Sequence, residues 1–495
     1  MSTGLPPNVS YFMSRLQGVS TSHFKIYPQN SGAQSANKII RFELPSNTLL
    51  SLKSCRMLFN ITTTATGVVT QARLPNDTRS FIDRMSIYMG GVLVQNSFSN
   101  YNTLVHAKKA LGADRCSDTT LTHPEICRAT SYHTGAAFGF PAAHDATIHE
   151  TYDSLANQLA ITDWESFLGT AEPGIIDTGL FPQITIEITL ADNVVLPQMV
   201  WAASTPLALA TNTTTGGIAA VGAGTASYTM DNITMQVEVL GMASSVLDEV
   251  VAQRISQVGY LSIPFKNYFS FSSSHSSTSR FNVNSASWDR LWVAWRDANG
   301  GAVSGAVPVS GYKLQGAFVS AVSVSNPVSA NTQSAPVALV ATNHTQDMGK
   351  PQYDIGGTLD TNKEKYVARA FNFVEPLLSG QTVSNYQLQI NSANYPAYKL
   401  TVPEVYTLTK NSIDVYDKSR MMSLDQYRDN YFVQCYRFCL PESDYSRLSS
   451  GLDTRATSAQ CALVTENVTA STPCFIFAEV TSELRVANRA IEVIV

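Results

Sequence analysis

The sequence predicts an all-β protein made of two sandwich domains, and three observations lead there. Short apolar runs rich in Val, Ile, Thr, Phe and Tyr recur along the chain, bounded by Gly, Pro, Asn and Ser, as strands with one buried face and turns at their ends require. Helical periodicity is confined to short stretches. The chain has 495 residues, beyond the roughly 250–300 at which one hydrophobic core stops growing, so at least two cores are expected.

The clearest strand patterns are Ile39–Leu44, Arg56–Thr62, Met85–Val94, Gln183–Leu190, Asn232–Leu240, Trp288–Trp295, Tyr386–Ile390, Tyr431–Phe438 and Cys474–Val480. A first helix is expected after Asn100 as N-cap, with Tyr101, Leu104, Val105, Lys108 and Leu111 on one face and Gly112 as its stop. A second is expected over Ser245–Ile255, where Leu247, Val250 and Val251 form the apolar stripe and Asp248 and Glu249 suit the positive end of the helix dipole. It falls near the middle of the chain and reads as a linker. The expected division is an N-terminal arm over 1–35, a first sandwich over 36–243, the linker helix over 244–258 and a second sandwich over 259–495.

The halves also repeat features in the same order. Ser86–Gln95 and Gln387–Pro396 each read as strand, turn and extended return, followed by segments containing Tyr101 and Tyr406. Ile233–Val239, the last strand before the linker, has a counterpart in Phe475–Val480 near the C-terminus. These matches point to an internal duplication.

Charged residues make up 14% of the chain against a usual ~25%, so much of the surface must be covered by uncharged side chains or by another subunit. No Asp, Glu, Lys or Arg occurs between Asp192 and Asp231, and only Lys313 between Asp297 and Asp347. Disordered linkers are usually charged, so these Val-, Ala- and Leu-rich stretches are expected to pack against something, such as a neighbouring subunit. The net charge of −5 argues against a protein that grips nucleic acid over its whole surface. Residues 1–41 nevertheless lack Asp and Glu and carry Arg15, Lys25, Lys38 and Arg41, an asymmetry that points to an anionic partner for the arm. Neither a secretory signal nor a membrane span is read in the sequence. The seven cysteines, Cys55, Cys116, Cys127, Cys435, Cys439, Cys461 and Cys474, read mainly as free thiols, with Cys461–Cys474 the one pairing considered.

Catalytic patterns are not found. There is no Gly-x-Ser-x-Gly elbow, the glycines of 216–224 lack dinucleotide spacing, and Gly349-Lys350 is followed by Pro351 where a phosphate loop needs Ser or Thr. His123, His133, His144 and His149 share one region, but their spacing fits no zinc pattern and loop or interface histidines are expected. Cys435 and Cys439 are expected as buried thiols on one strand face. Asp425/Asp429 and Glu442/Asp444 are expected as acids on solvated loops rather than a glycosidase pair. Trp288 and Trp292 should share one strand face and Trp295 the other, as core rather than as a stacking platform for bases or sugars.

In order and spacing, Met85–Gln95, Asn232–Arg254 leading into Tyr260–Phe265, Tyr386–Pro396 and Ser450–Arg455 followed by two closing strands make the chain resemble the double jelly-roll major capsid proteins. These are found in adenovirus-like hexons, virophages, polinton-like viruses and large nucleocytoplasmic DNA viruses. The resemblance implies two consecutive eight-stranded jelly-roll sandwiches with long loops and a few short helices, and a homotrimer of pseudo-hexagonal outline that tiles an icosahedral shell. It also implies a place in the virion, contacts with neighbouring capsomers, penton and minor capsid proteins, and N-termini directed at genome, internal membrane or minor proteins. No enzyme activity, cofactor, metal or small-molecule substrate is expected. The alternatives are a secreted or cell-surface β-sandwich adhesin or lectin and, after it, a polysaccharide hydrolase.

Overall fold

The structure is a computed structural model. It describes residues 20–111, 158–201, 224–241, 256–296, 365–413, 424–440 and 451–495, apart from breaks of one to three residues within them. The first half contributes β1 (Ser20–Ile26), β2 (Gln34–Ser35), β3 (Ile39–Glu43), β4 (Leu49–Gly67), β5 (Val69–Ala72), β6 (Ile82–Met89), β7 (Val92–Gln95), β8 (Leu159–Ile161), β9 (Ile175–Asp177), β10 (Ile184–Leu190), β11 (Gln198–Trp201) and β12 (Gly224–Gly241). The second contributes β13 (Leu261–Ser274), β14 (Thr278–Val283), β15 (Trp288–Trp295), β16 (Lys365–Ala368), β17 (Asn385–Ile390), β18 (Ala393–Thr401), β19 (Val433–Arg437), β20 (Ala459–Glu466), β21 (Pro473–Ala487) and β22 (Ala490–Ile494). The described helices used below are α1 (Tyr101–Lys109), α2 (Phe167–Thr170) and α3 (Val402–Ser412).

The sheets decide the fold. In the first half one sheet runs β1-β12-β4-β8 and faces another that runs β3-β10-β6-β7. In the second half the orders are β13-β21-β15-β19 and β14-β20-β17-β18. If the principal strands of each half are lettered B to I in chain order, both halves give B-I-D-G over C-H-E-F, with antiparallel neighbours throughout. Each half is a jelly roll. The repeats noticed in sequence occupy equivalent places: Ser86–Gln95 and Gln387–Pro396 span the E and F strands, Tyr101 and Tyr406 lie in the F–G helices, and Ile233–Val239 and Phe475–Val480 lie in the I strands.

Alternation builds the inner faces. In β10 the sequence ITIEITL buries every other residue, Ile184, Ile186, Ile188 and Leu190 inward, while the Thr and Glu side chains look outward. The E–F turn of the first half needs Gly90 and Gly91, both at positive φ (56° and 85°), and a Cβ on Gly90 would collide with Pro182 at 2.8 Å. Strands D and H of the first half both end where its E and I strands begin, so the D–E and H–I connections leave from one end. There β5 and β11 join β16, which comes from the D–E connection of the second half, in a three-stranded sheet. The first charge-poor stretch supplies β11; its longest part, 202–223, and the whole of the second stretch, within 297–364, lie outside the described residues, as does the linker helix expected over 245–255.

Several expectations are corrected. Residues 20–26, placed in the N-terminal arm over 1–35, form β1, which pairs along its whole length with β12. Its main-chain hydrogen bonds, rather than any apolar pattern, hold it in place. Of the four arm cations, Lys25 is therefore on β1, Lys38 is in the turn before β3, and Arg41 on β3 is ion-paired with Glu187 of β10. Asn100 does precede α1 but its backbone is left-handed (φ 61°) and its side chain does not cap; its carbonyl accepts from the Leu104 N–H at 3.2 Å. The buried face of β10 gives a direct check: Ile186→Ala should cost about 2–5 kcal/mol in chemical denaturation, whereas the neighbouring Thr185→Ala should stay within about 1 kcal/mol.

Candidate functional site

Of the sequence candidates for chemistry that the structure describes, all but Cys439 are core. Trp288, Trp292 and Trp295 are all buried, at 0%, 2% and 0% exposure. A bulge between Trp288 and Arg290 shifts the register against β21, so Trp288 joins Leu291, Val293 and Trp295 inside the second sandwich while Trp292 and Ala294 face the other way. The expected pairing of Trp288 with Trp292 on one face is thus overturned by one extra residue. Cys435 is buried in β19, and Cys439 follows that strand, half-buried. Cys461 and Cys474 are both buried free thiols, and burial pushes the Cys461 thiol up to about 12, well away from a reactive thiolate. His123, His133, His144, His149, Asp425, Asp429, Glu442 and Asp444 lie outside the described residues. Among the described residues no group of three or more His, Cys, Asp or Glu could hold a metal ion, and no helix is long and apolar enough to cross a membrane.

The most elaborated site is the seam between the sandwiches. The B-I-D-G sheet of the second half has two buried faces. One is its own core, with Leu291, Val293, Tyr436, Cys474, Ile476 and Ala478; the other presents Trp292, Ala294, Val433, Cys435, Phe475 and Phe477 to the larger core cluster that includes the first half. The first half meets that outer face with its F–G flank. Phe98 packs on Tyr268 with ring centres 5.4 Å apart, and the Ser99 N–H donates to Ser270 Oγ at 3.1 Å. His106 of α1 stacks on Phe371 at 4.0 Å with planes 8° apart. The edge of β13 is closed as well: Lys266 N–H donates to Thr170 Oγ1 (2.9 Å) and Glu172 N–H donates to the Pro264 carbonyl (3.0 Å). Phe167 of α2 meets Phe265 edge-on at 5.2 Å.

Toward one end this face becomes ionic. Lys108 donates to Glu165 Oε2 at 2.5 Å and to the Tyr268 hydroxyl at 3.0 Å. Glu479 accepts from Arg290 Nη1 (3.1 Å) and from the Trp292 indole N–H (3.0 Å), and Lys266 donates to Asp289 Oδ2 at 2.8 Å. Burial opposes ionisation of Glu479, but Lys108, Arg290, the Trp292 indole and Lys266 outweigh it and hold the carboxyl below its usual range. The arrangement neutralises buried charge. It offers no nucleophile paired with a base.

A second ionic knot lies beneath α1. Asp77 accepts from Arg79 Nη2 at 2.8 Å and from Lys109 Nζ at 2.6 Å, and Ser80 Oγ lies 2.6 Å from His106 Nε2. Burial opposes ionisation of Asp77, yet the Arg79 guanidinium and Lys109 hold it far below the ordinary carboxylate range. Burial pushes His106 down to about 3; Asp77 opposes that shift, and Lys109, Arg79 and Arg296 add to it.

Two functional features escaped the sequence reading. Helix α3 was not expected, although Thr401 and Glu404 stand three apart with Pro403 inside the first turn; the Glu404 carboxylate accepts from the Thr401 N–H at 2.7 Å. The seam itself had a signal in the unbroken apolar run from Cys474 to Ala478, which a strand needs only when both faces are covered.

No family model and no curated protein matches the chain. Solved structures do resemble it. PBCV-1 VP54, fitted into a reconstruction of the virophage Sputnik, is 11% identical, with a TM-score of 0.48, and 96% of each chain is covered. The Faustovirus major capsid protein is 9% identical with a TM-score of 0.48, covering 95% of this chain and 91% of that one. The mavirus major capsid protein is 9% identical with a TM-score of 0.42, covering 95% and 90%. The structures it resembles are double jelly-roll major capsid proteins. In this chain the double jelly roll is set by strand order, B-I-D-G over C-H-E-F in both halves.

The ionic knot predicts the sign of the pH dependence. His106 is lowered in the folded state, so it binds its proton more readily when unfolded; its contribution is complete above pH ~6.5 and is lost as pH falls toward about 3. Asp77, also lowered, loses its contribution in the same direction, below the ordinary carboxylate range. Thermal denaturation between pH 7 and 4 should therefore show falling stability. His106→Gln should flatten that fall by up to about 1.4 kcal/mol per pH unit, and an unchanged slope would remove His106 as its source.

Proposed function

We propose that this chain is the major capsid protein of an icosahedral virus and acts as a homotrimer of pseudo-hexagonal outline. The observation that carries the reading is the repetition of one jelly-roll topology twice in a single chain, with the second copy's sheet locked face-on against the first. Two sandwiches per chain give six per trimer, an outline that tiles a surface. The D–E and H–I connections of the first half and the D–E connection of the second meet in the β5–β11–β16 sheet, which suits a raised outer end above the sandwiches. Buried thiols and mutually neutralised charges in the described core suit a structural role rather than catalysis. In this reading the protein resides in the virion, where its partners are neighbouring capsomers together with penton and minor capsid proteins.

The anionic partner proposed for the arm now rests on residues 1–19, of whose sequence Arg15 is the one cation. Genome phosphates, an internal membrane or minor proteins remain the partners it would meet.

Electron microscopy of the purified protein tests the main reading. Hexagonal particles or closed shells are expected; monomers that bind glycans would favour an adhesin and sink the capsid reading. Deleting residues 1–19 should leave the oligomer intact and reduce shell yield or salt resistance. Shells of normal yield and salt resistance would leave the arm without that role.

A further inference from the structure

The ionic knot beneath α1 reaches across the seam to the root of the three-stranded β5–β11–β16 sheet. The D–E connection of the second half leaves at Arg296, directly after β15, and returns through β16 to Phe371. Its two ends are stitched together where the Val374 N–H donates to the Trp295 carbonyl at 3.3 Å. One ring ties both ends to the first half. His106 of α1 stacks on Phe371 with ring centres 4.0 Å apart and planes 8° apart, while the Arg296 guanidinium lies over the same ring at 5.1 Å and over Phe475 at 5.0 Å. With one face of Phe371 taken by the imidazole, the guanidinium is left the other. Helix α1, the returning chain, the end of β15 and the start of β21 thus form four successive layers.

The charges around this stack are one-sided. Asp77 and Arg79 face His106 from the turn at 77–81, Lys109 from the last turn of α1 and Arg296 from the end of β15. Asp83 of β6 lies near Arg84 and Arg296 and accepts from the Asn100 N–H. Asp77 already serves Arg79 and Lys109, so a proton arriving on His106 adds a fourth cation to the group. Its Nε2 lies 2.6 Å from Ser80 Oγ; a neutral ring can accept from that hydroxyl, whereas a protonated ring forces it to turn and accept instead. The imidazole is only partly buried, so protons can reach it from solvent.

We propose that His106 is an acid-released latch on the root of the β5–β11–β16 sheet. Protonation breaks the layered contact, Phe371 and Arg296 part from α1, and the β16 end of the connection loosens. Both sandwich cores hold, as do the Phe98–Tyr268 and Phe167–Phe265 contacts of the seam. The order follows from what joins each part: the latch is a side-chain stack, whereas the sandwich strands are joined by continuous main-chain ladders, so the latch opens at lower free energy. Acid therefore acts first on one end of the molecule rather than on its stability as a whole. The latch does not depend on the capsid reading; within that reading, the outer end of the particle answers acid before its walls do.

Hydrogen exchange of the full chain, read by mass spectrometry at pH 7 and pH 4 and corrected for the intrinsic pH dependence of exchange, tests this. Peptides within 101–110 and 365–374 should lose at least about tenfold in protection at pH 4, while those within 184–190 and 473–480 keep theirs to within about threefold. His106→Gln should hold the first two regions at their pH 7 protection. Equal loss in all four regions, no loss in any, or a loss that survives in His106→Gln would overturn the latch, the last passing the trigger to Asp77 or Asp83. Phe371→Leu, which keeps an apolar side chain but removes the stack, serves if His106→Gln does not fold. It should show the loss in 101–110 already at pH 7 and little more at pH 4; exchange like that of the parent at both pH values would show that the stack holds nothing shut.

Discussion

The structure depends on one sheet that must be dry on both sides. In the second half, β15, β19 and β21 place Leu291, Val293 and Ile476 in their own sandwich and Trp292, Val433 and Phe477 against the first. A jelly roll alone leaves the outer face of each sheet to water; here one outer face of the second half is as apolar as a core, so the second half is not a complete folding unit without the first. The charges at the end of that face follow from the same constraint. Glu479 and Asp289, each 2% exposed, would be costly alone, and each is met by a cation from another strand of the same sheet, with Lys108 of the first half added from across the seam.

The same topology therefore carries two different surfaces. Strand I of the first half keeps the alternation of a one-sided strand, with Met235, Val237 and Val239 inward and Gln236 and Glu238 outward. Strand I of the second half abandons it from Cys474 to Val480, where every residue is buried. The two halves share one strand order; the divergence of their outer faces distinguishes a permanent seam within the chain from a surface open to water in the isolated chain.

Much of this was legible in the residues. The all-β class, the two halves, the E–F hairpins and the I strands were visible because apolar alternation and turn residues report directly on burial and reversal. The double jelly roll itself came from resemblance, since strand order leaves no trace in periodicity. Apart from the seam, what was missed lacks an apolar signature. Strand β1, STSHFKI, is exposed almost throughout and is held by its backbone ladder to β12. The bulge at Trp288–Arg290 adds one residue and so reverses a face without altering composition. Helix α3 is marked by its Thr401–Glu404 cap and Pro403, a capping signal more than a stripe. The seam was written in the continuous apolar run of strand I, whose meaning is clear only once its neighbours are known.

In both halves the B strand pairs with the I strand, joining Ser20–Ile26 to Met235–Gly241 and Leu261–Ser274 to Pro473–Val486. Neither sandwich can close until its last strand exists, so contacts are long-range and folding is expected to be slow. The two closures are nonetheless separate in time during synthesis. All of the first sandwich's strands have been made before β13 begins, so the first sandwich can present its F–G flank while the second is still being translated. The apolar face of β15 and β21 then has a partner waiting as it emerges, which shortens the interval in which a sheet with two sticky sides is exposed to aggregation.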